Sequence, residues 1–309
     1  MNQKPKRTLQ ELDLLDRFLF DATMEDPDAY EALLEILLGE EIQLLTPPET
    51  EKEFRVSPLL RSIRVDVYSM DRKKRVFQTE AQKENTHNLP KRSRYYQSLM
   101  DTAMLEPGCV DFNLLKDTYI IMIAPFDLFG QGKYRYTFRM TCEESEELEL
   151  QDGAKRIFFN TKGKNKDEVS PELIELLEYM EKTTKHQEVQ SQNEKIRIIK
   201  KRVSQVKLSE EMGVRYMQAW EEKAMEREAG RKEGYESGQK AGYESGQKAG
   251  YESGHESGQQ EGKALVNELN QRLIQDGRME DLLKSCNDSE LQKLLLIEYG
   301  VNGKKHQNK

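Results

Sequence analysis

The chain has 309 residues, of which 36% are apolar and 34% charged, and a net charge of −8. It is poorer in apolar and richer in charged side chains than an average soluble domain, so part of it is expected to lie outside any packed core. No apolar run approaches the roughly 20 residues of a membrane-spanning helix, and basic MNQKPKR leads into acidic LQELDLLDR without a signal-like apolar core. Cys109, Cys142 and Cys286 are odd in number and far apart, and His87, His186, His255 and His306 are equally scattered. That spacing excludes a disulfide framework and a Cys/His zinc site, and points to a cytoplasmic protein with reduced thiols. The acidic balance argues against a chain that coats nucleic acid all over, but is compatible with a local basic groove.

Residues 8–22 and 29–44 read as amphipathic helices, with Leu9, Leu12, Leu15 and Leu19 on one stripe and Leu33, Leu34, Leu37 and Leu38 on the other. Asp26-Pro27-Asp28 separates them, and Thr46-Pro47-Pro48 ends the unit. Arg61–Met70 alternates, with Ile63, Val65 and Val67 on one side and Arg64, Asp66 and Tyr68 on the other. Asp71–Lys74 is a polar turn, and Arg75–Lys83 alternates again, which predicts a β-hairpin. A helix is expected over 87–105, starting near Pro90, and the apolar run Asp117–Pro125 predicts a strand covered on both faces. Lys133–Cys142 and Lys155–Asn160 read as further strands, and Ser170-Pro171 as a helix start.

The composition then changes. Residues 185–228 contain no Pro and one Gly, with Ile196, Ile199, Val203 and Val206 forming a heptad-like stripe that Met217, Trp220 and Ala224 resume. Seven Lys or Arg stand against two Glu between Lys185 and Lys207. From Gly230 to Gly262 glycine recurs at every fourth residue, through two copies of YESGQKAG. Each interior glycine costs about 1 kcal/mol of helix propensity, so a flexible spacer and a closely packed helix both fit this stretch. Residues 263–300 return to helical patterning.

The chemistry concentrates in the hairpin. A symmetric hairpin centred on position 73 pairs Asp66 with Glu80, and Gln82 shares the face of Glu80. Two carboxylates that close repel unless a cation lies between them, and hard divalent cations take carboxylate oxygens. A solvated sheet face is the plain alternative. On the helix after the hairpin, Lys91, Arg92, Arg94, Tyr95 and Tyr96 supply groups that neutralise or donate to phosphate, with Arg92 and Tyr96 on one face.

The segments RVDVY, FQTEAQ and KRSRYYQSLM resemble the PD-(D/E)XK nuclease superfamily, and more narrowly the Rpn-type recombination-promoting nucleases, or PD-(D/E)XK family transposases. FDATMEDPDAYEALLEILLGEEI and TYIIMIAPFDLFGQGKYRYTFRM are similar to the opening helices and later strands of that family, so the resemblance spans roughly residues 10–185. It implies an α/β fold with a core of α-β-β-β-α-β type and Mg²⁺-dependent cleavage of DNA, Mn²⁺ being the substitute cation. It also implies that Asp66 and Glu80 are the catalytic, metal-holding acids and that Gln82 stands where most of the superfamily has lysine. The Rpn-like group commonly shows E-x-Q, and adjacent Lys83 belongs to the other face of its strand. Glu31 and Glu35 are both candidates for the acid that many members carry on the first helix.

The expected organisation is a nuclease-like domain at 8–184, a coiled-coil helix at 185–229, the glycine repeat at 230–262 and a small helical segment at 263–300. The expected function is a metal-dependent DNA endonuclease of the transposase or recombination-promoting type. Asp66, Glu80 and Gln82 form its site, Arg92, Arg94 and Tyr96 meet the DNA backbone, and the C-terminal helices form a homo-oligomer. The alternative is a catalytically decayed nuclease fold that binds DNA or a partner.

Overall fold

The computed structural model describes residues 7–55, 57–59, 61–184 and 191–301. The chain divides into two compact units, Met1–Glu222 and Lys223–Lys309.

The first unit is built on a six-stranded mixed sheet. Its strands are β1 (Glu49–Phe54), β2 (Ile63–Met70), β3 (Val76–Ala81), β4 (Thr118–Ala124), β5 (Arg135–Phe138) and, after a small hairpin of β6 (Thr141–Cys142) and β7 (Ser145–Glu149), β8 (Ala154–Asn160). The order across the sheet is β1-β2-β3-β4-β8-β5. The β1, β2 and β3 pairings are antiparallel, whereas β3–β4 and β4–β8 are parallel. The expected α/β architecture is therefore present.

Helices cover both faces. They are α1 (Arg17–Met24), α2 (Pro27–Leu38), α3 (Leu89–Met104), α4 (Pro171–Glu181) and α5 (Glu194–Leu208), followed by the long α6 (Glu210–Gln275). The central strand β4 shows how the layers arise. Tyr119, Ile121 and Ile123 join a core with α1, α2, α4 and α5, while Ile120 and Met122 join a second core under α3. Period-2 alternation of apolar side chains thus feeds two cores from one fully buried strand.

Local signals explain most helix boundaries. Asp26 caps α2 by accepting from the Ala29 amide, Pro27 occupies its first turn, and Gly39 ends it in the left-handed region at φ 73°. Ser170 caps α4 in the same way through the Leu173 amide.

Three expectations need correction. The predicted helix at 8–22 is a short 3₁₀ turn, Leu9–Glu11, followed by α1, because Leu12 and Asp16 are both extended. Its leucines are buried all the same, so the stripe marks the core correctly and the helix start incorrectly. Strand β1 has no counterpart among the elements expected from the sequence, since ETEKEF carries little apolar signal and lies at the sheet edge.

The third correction concerns the heptad stripe. Ile196, Ile199, Val203 and Val206 are fully buried in the core shared with α1 and α2, and so form no outward seam for another chain. The repeat is interrupted at Ser209, whose extended backbone separates α5 from α6. Part of the expected helix, 185–190, lies outside the described residues.

In the second unit, α6 carries the glycine repeat, and residues 225–264 are exposed throughout. The end of α6 then packs with α7 (Met279–Ser285) and α8 (Ser289–Glu298) around Leu269, Leu273 and Leu295. No helix among the described residues is long and apolar enough to cross a membrane.

Candidate functional site

The hairpin that carries the acids is centred where the sequence places it. Val67 pairs with Thr79, Tyr68 with Gln78, Ser69 with Phe77 and Met70 with Val76. One step further, Asp66 falls opposite Glu80. The turn is clamped by Arg75, which donates from its amide and Nε to Asp71 at 2.8 Å each and from Nη1 to Glu40 at 2.7 Å. A buried hydrogen bond of 2.8 Å between the Tyr30 hydroxyl and Thr79 ties β3 to α2 one residue from Glu80.

The alternation expected of β2 breaks at Asp66. Ile63 and Val65 belong to the core under α3, but Val67 belongs to the core under α1 and α2. The same break occurs on the neighbouring strand. Glu51 and Asp66 fall in the gap of the β1–β2 ladder between the pairs Thr50–Val67 and Lys52–Val65, and Glu51 has φ 52°, a left-handed conformation that a non-glycine residue rarely adopts. Such irregularities re-aim side chains and cluster at functional sites. The result is an acid row, Glu51, Asp66 and Glu80, within reach of side chains from both helical layers.

From one layer, Arg17 on α1 places Nε 2.9 Å from Asp66 Oδ1 and 3.5 Å from Asp21 Oδ2. From the other, Arg92 on α3 places Nη2 2.6 Å from both Glu80 Oε2 and Gln82 Oε1. Asp66 Oδ2 accepts from the Ala81 amide at 3.3 Å, and Gln82 Nε2 donates to the Glu84 carbonyl. Arg92 also lies over the Tyr96 ring, 5.5 Å from its centroid.

Burial governs the electrostatics. Asp66, Glu80 and Asp21 are only 5%, 4% and 7% exposed. Loss of solvation and then the neighbouring Asp66 charge push the Glu80 carboxyl up to about 7, against Arg92, Arg17 and the Tyr96 hydroxyl. Burial likewise raises Asp66, opposed by Arg17, the Ala81 amide and Arg92. Asp21 is raised well above the ordinary carboxylate range by burial and by Asp66. Its Oδ1 has no hydrogen-bond partner among the described residues.

The structure therefore brings together Asp66, Glu80, Gln82, Arg92 and Tyr96. It leaves out Arg94, which is exposed two residues round the helix from Arg92. Glu31 and Glu35 are occupied elsewhere, accepting from the Leu44 and Ile42 amides, and Glu35 also pairs with Lys195 at 2.9 Å. The acid that α1 contributes is Asp21, with Glu51 from β1 beside it. Lys83 is paired with Asp16 at 2.6 Å. Arg17, Asp21 and Glu51 are absent from the residues singled out by sequence. Their one local signal, the i,i+4 spacing of Arg17 and Asp21, is shared with countless surface pairs.

Among the described residues no three His, Cys, Asp or Glu side chains are already arranged around one cation position. The donor chemistry nonetheless suits a hard divalent cation. Four carboxylates, buried Asp21, Asp66 and Glu80 and exposed Glu51, stand near the guanidinium of Arg17, and Arg92 meets Glu80 from the other side.

The family model described as PD-(D/E)XK nuclease family transposase matches residues 13–241, well over half of the chain and the whole of this site. No curated protein and no solved structure matches the chain.

Proposed function

Since the chain belongs to the PD-(D/E)XK nuclease family transposases, we propose that it is a Mg²⁺-dependent endonuclease that hydrolyses phosphodiester bonds of DNA. The observation that carries this reading is the opposition of Asp66 and Glu80, both buried and both raised by burial, with a guanidinium on either side. Asp66 and Glu80 would hold the cation, with Asp21 as a further carboxylate next to them. A divalent cation bound there supplies Lewis acidity toward the phosphate and the attacking water.

The remaining roles fall to the chain itself. Gln82 carries no charge where most of the superfamily has lysine, but its Oε1 accepts from Arg92 at 2.6 Å. Arg92 thus returns a positive charge to that corner, where a guanidinium can offset charge developing on phosphate oxygens. Its expected role as an outlying backbone contact moves inward to the site. The Tyr96 ring and Glu80 together fix its direction. Exposed Lys91 and Arg94 remain for contacts with the DNA backbone.

The test is nicking of supercoiled plasmid by the full chain with Mg²⁺ or Mn²⁺, beside Asp66→Ala and Glu80→Ala. Wild type is expected to nick, and each variant to lose about a hundredfold or more. If folded wild type cuts with neither cation while all three proteins bind DNA equally, the chain is a binding module on a nuclease fold.

A further inference from the structure

The acidic cluster has a cation of its own. Arg17 faces three carboxylates from three elements: Asp66 on β2 at 2.9 Å, Asp21 on α1 at 3.5 Å and Glu51 on β1 at 3.7 Å. Its Nε and Nη2 are nonetheless without a properly directed hydrogen bond among the described residues. A guanidinium built as the permanent partner of one carboxylate makes two parallel N–H···O bonds to it. Arg17 instead sits by charge among several acids and satisfies none of them fully.

Two further features bear on this contact. Both oxygens of Asp66 are engaged, Oδ2 by the Ala81 amide and Oδ1 by Arg17. A divalent cation on the Oδ1 side of Asp66 therefore meets the positive charge of Arg17, whose Nε lies 2.9 Å from that oxygen. The Arg17 side chain is also 37% exposed, so it can swing toward solvent on its flexible stem without moving α1.

Resting on the nuclease reading, we infer that Arg17 is the counter-ion of the metal-free site and competes with the divalent cation for Asp66. It keeps the buried acids together while the cation is absent and gives them up when the cation arrives. It is a positioning residue that sets how tightly the cation binds, and it takes no part in bond breaking.

The test is calorimetric titration of Mn²⁺ and Mg²⁺ into chelator-treated full-length protein, comparing wild type with Arg17→Met, Arg17→Gln and Arg17→Lys. Removing the charge is expected to tighten cation binding about tenfold or more, the size of effect one ion pair has on a neighbouring carboxylate. Arg17→Lys should stay close to wild type. The two neutral variants should also melt at a lower temperature without cation and recover when it is added. If Arg17→Met and Arg17→Gln keep native circular dichroism but bind the cation no more tightly than wild type, Arg17 is not a competitor. Should wild type bind and cut DNA while the neutral variants show unchanged affinity, this inference fails and the nuclease reading stands. If neither wild type nor any variant binds a cation, both fail together.

Discussion

Glu80 is poised near neutrality, and that has a sign. Its folded value of about 7 lies above the ordinary 4.5 of a glutamate, because burial and Asp66 disfavour its charge. Between those two values the folded state keeps a proton that the unfolded chain has released. The contribution of Glu80 to stability therefore falls as pH rises through this window and is constant above it. In metal-free protein, Glu80→Gln should match the melting temperature of wild type near pH 4.5 and exceed it by a margin that widens toward pH 7. A margin that stays flat across the window would show that Glu80 ionises normally. At this scale the sequence is half legible. Asp66 and Glu80 are readable because a tight hairpin converts sequence symmetry into spatial pairing. Arg17, Asp21 and Glu51 are not, because their meaning depends on where α1 and β1 are packed, and no local spacing encodes that. The inward direction of Arg92 is hidden for the same reason, although its sharing a face with Tyr96 is plain from the i,i+4 spacing.

At the scale of elements, α5 is the instructive case. A stripe of Ile196, Ile199, Val203 and Val206 suits a coiled-coil seam and a core-facing helix equally well, because both need apolar residues at spacings of three and four. The deciding factor is whether an uncovered apolar surface waits elsewhere in the fold, and α1 and α2 supply one. Ile199→Ala should accordingly cost about 2–5 kcal/mol of stability of the first unit, the usual range for emptying a buried aliphatic site. It should leave the sedimentation coefficient of the chain unchanged. A change in oligomeric state with little loss of stability would restore the seam. The same logic explains why β4 and α4 are legible and β1 is not. Thr118–Ala124 is apolar on both faces and Ser170-Pro171 is a strong helix start, whereas an exposed edge strand needs neither. The false start of α1 is of another kind. Thr8 and Glu11 do form a capping box, but the turn they cap ends at Leu12 and a second start comes at Asp16.

At the scale of the whole molecule, the candidate site and the cores that support it lie within the first unit, and the glycine repeat lies in the second. The repeat makes a poor seam for a partner helix. A step of four residues advances about 40° round an α-helix, so nine glycines wind most of the way round it and cannot line one side. Within the single chain, a Cβ placed on any glycine from Gly230 to Gly262 meets no neighbour within 4 Å. Deleting residues 235–242, one full copy of YESGQKAG, should leave the melting of the first unit within about 0.5 kcal/mol of wild type, as for changes far from a packed feature. Plasmid nicking should be unchanged as well. A deletion that abolishes nicking would mean that the length of this segment matters to the reaction itself.

The two copies of YESGQKAG stand back to back, each residue of one repeated eight positions later in the other. A block of whole codons can be gained or lost during replication without shifting the reading frame. Each such event would lengthen or shorten α6 by about 12 Å and rotate the remainder of that helix by about 80°, with no buried side chain disturbed. In a strand of the first unit, by contrast, even one added residue would turn the side chains beyond it to the opposite face. Gain or loss of whole blocks would therefore change the length of α6 while leaving every residue of the candidate site in place.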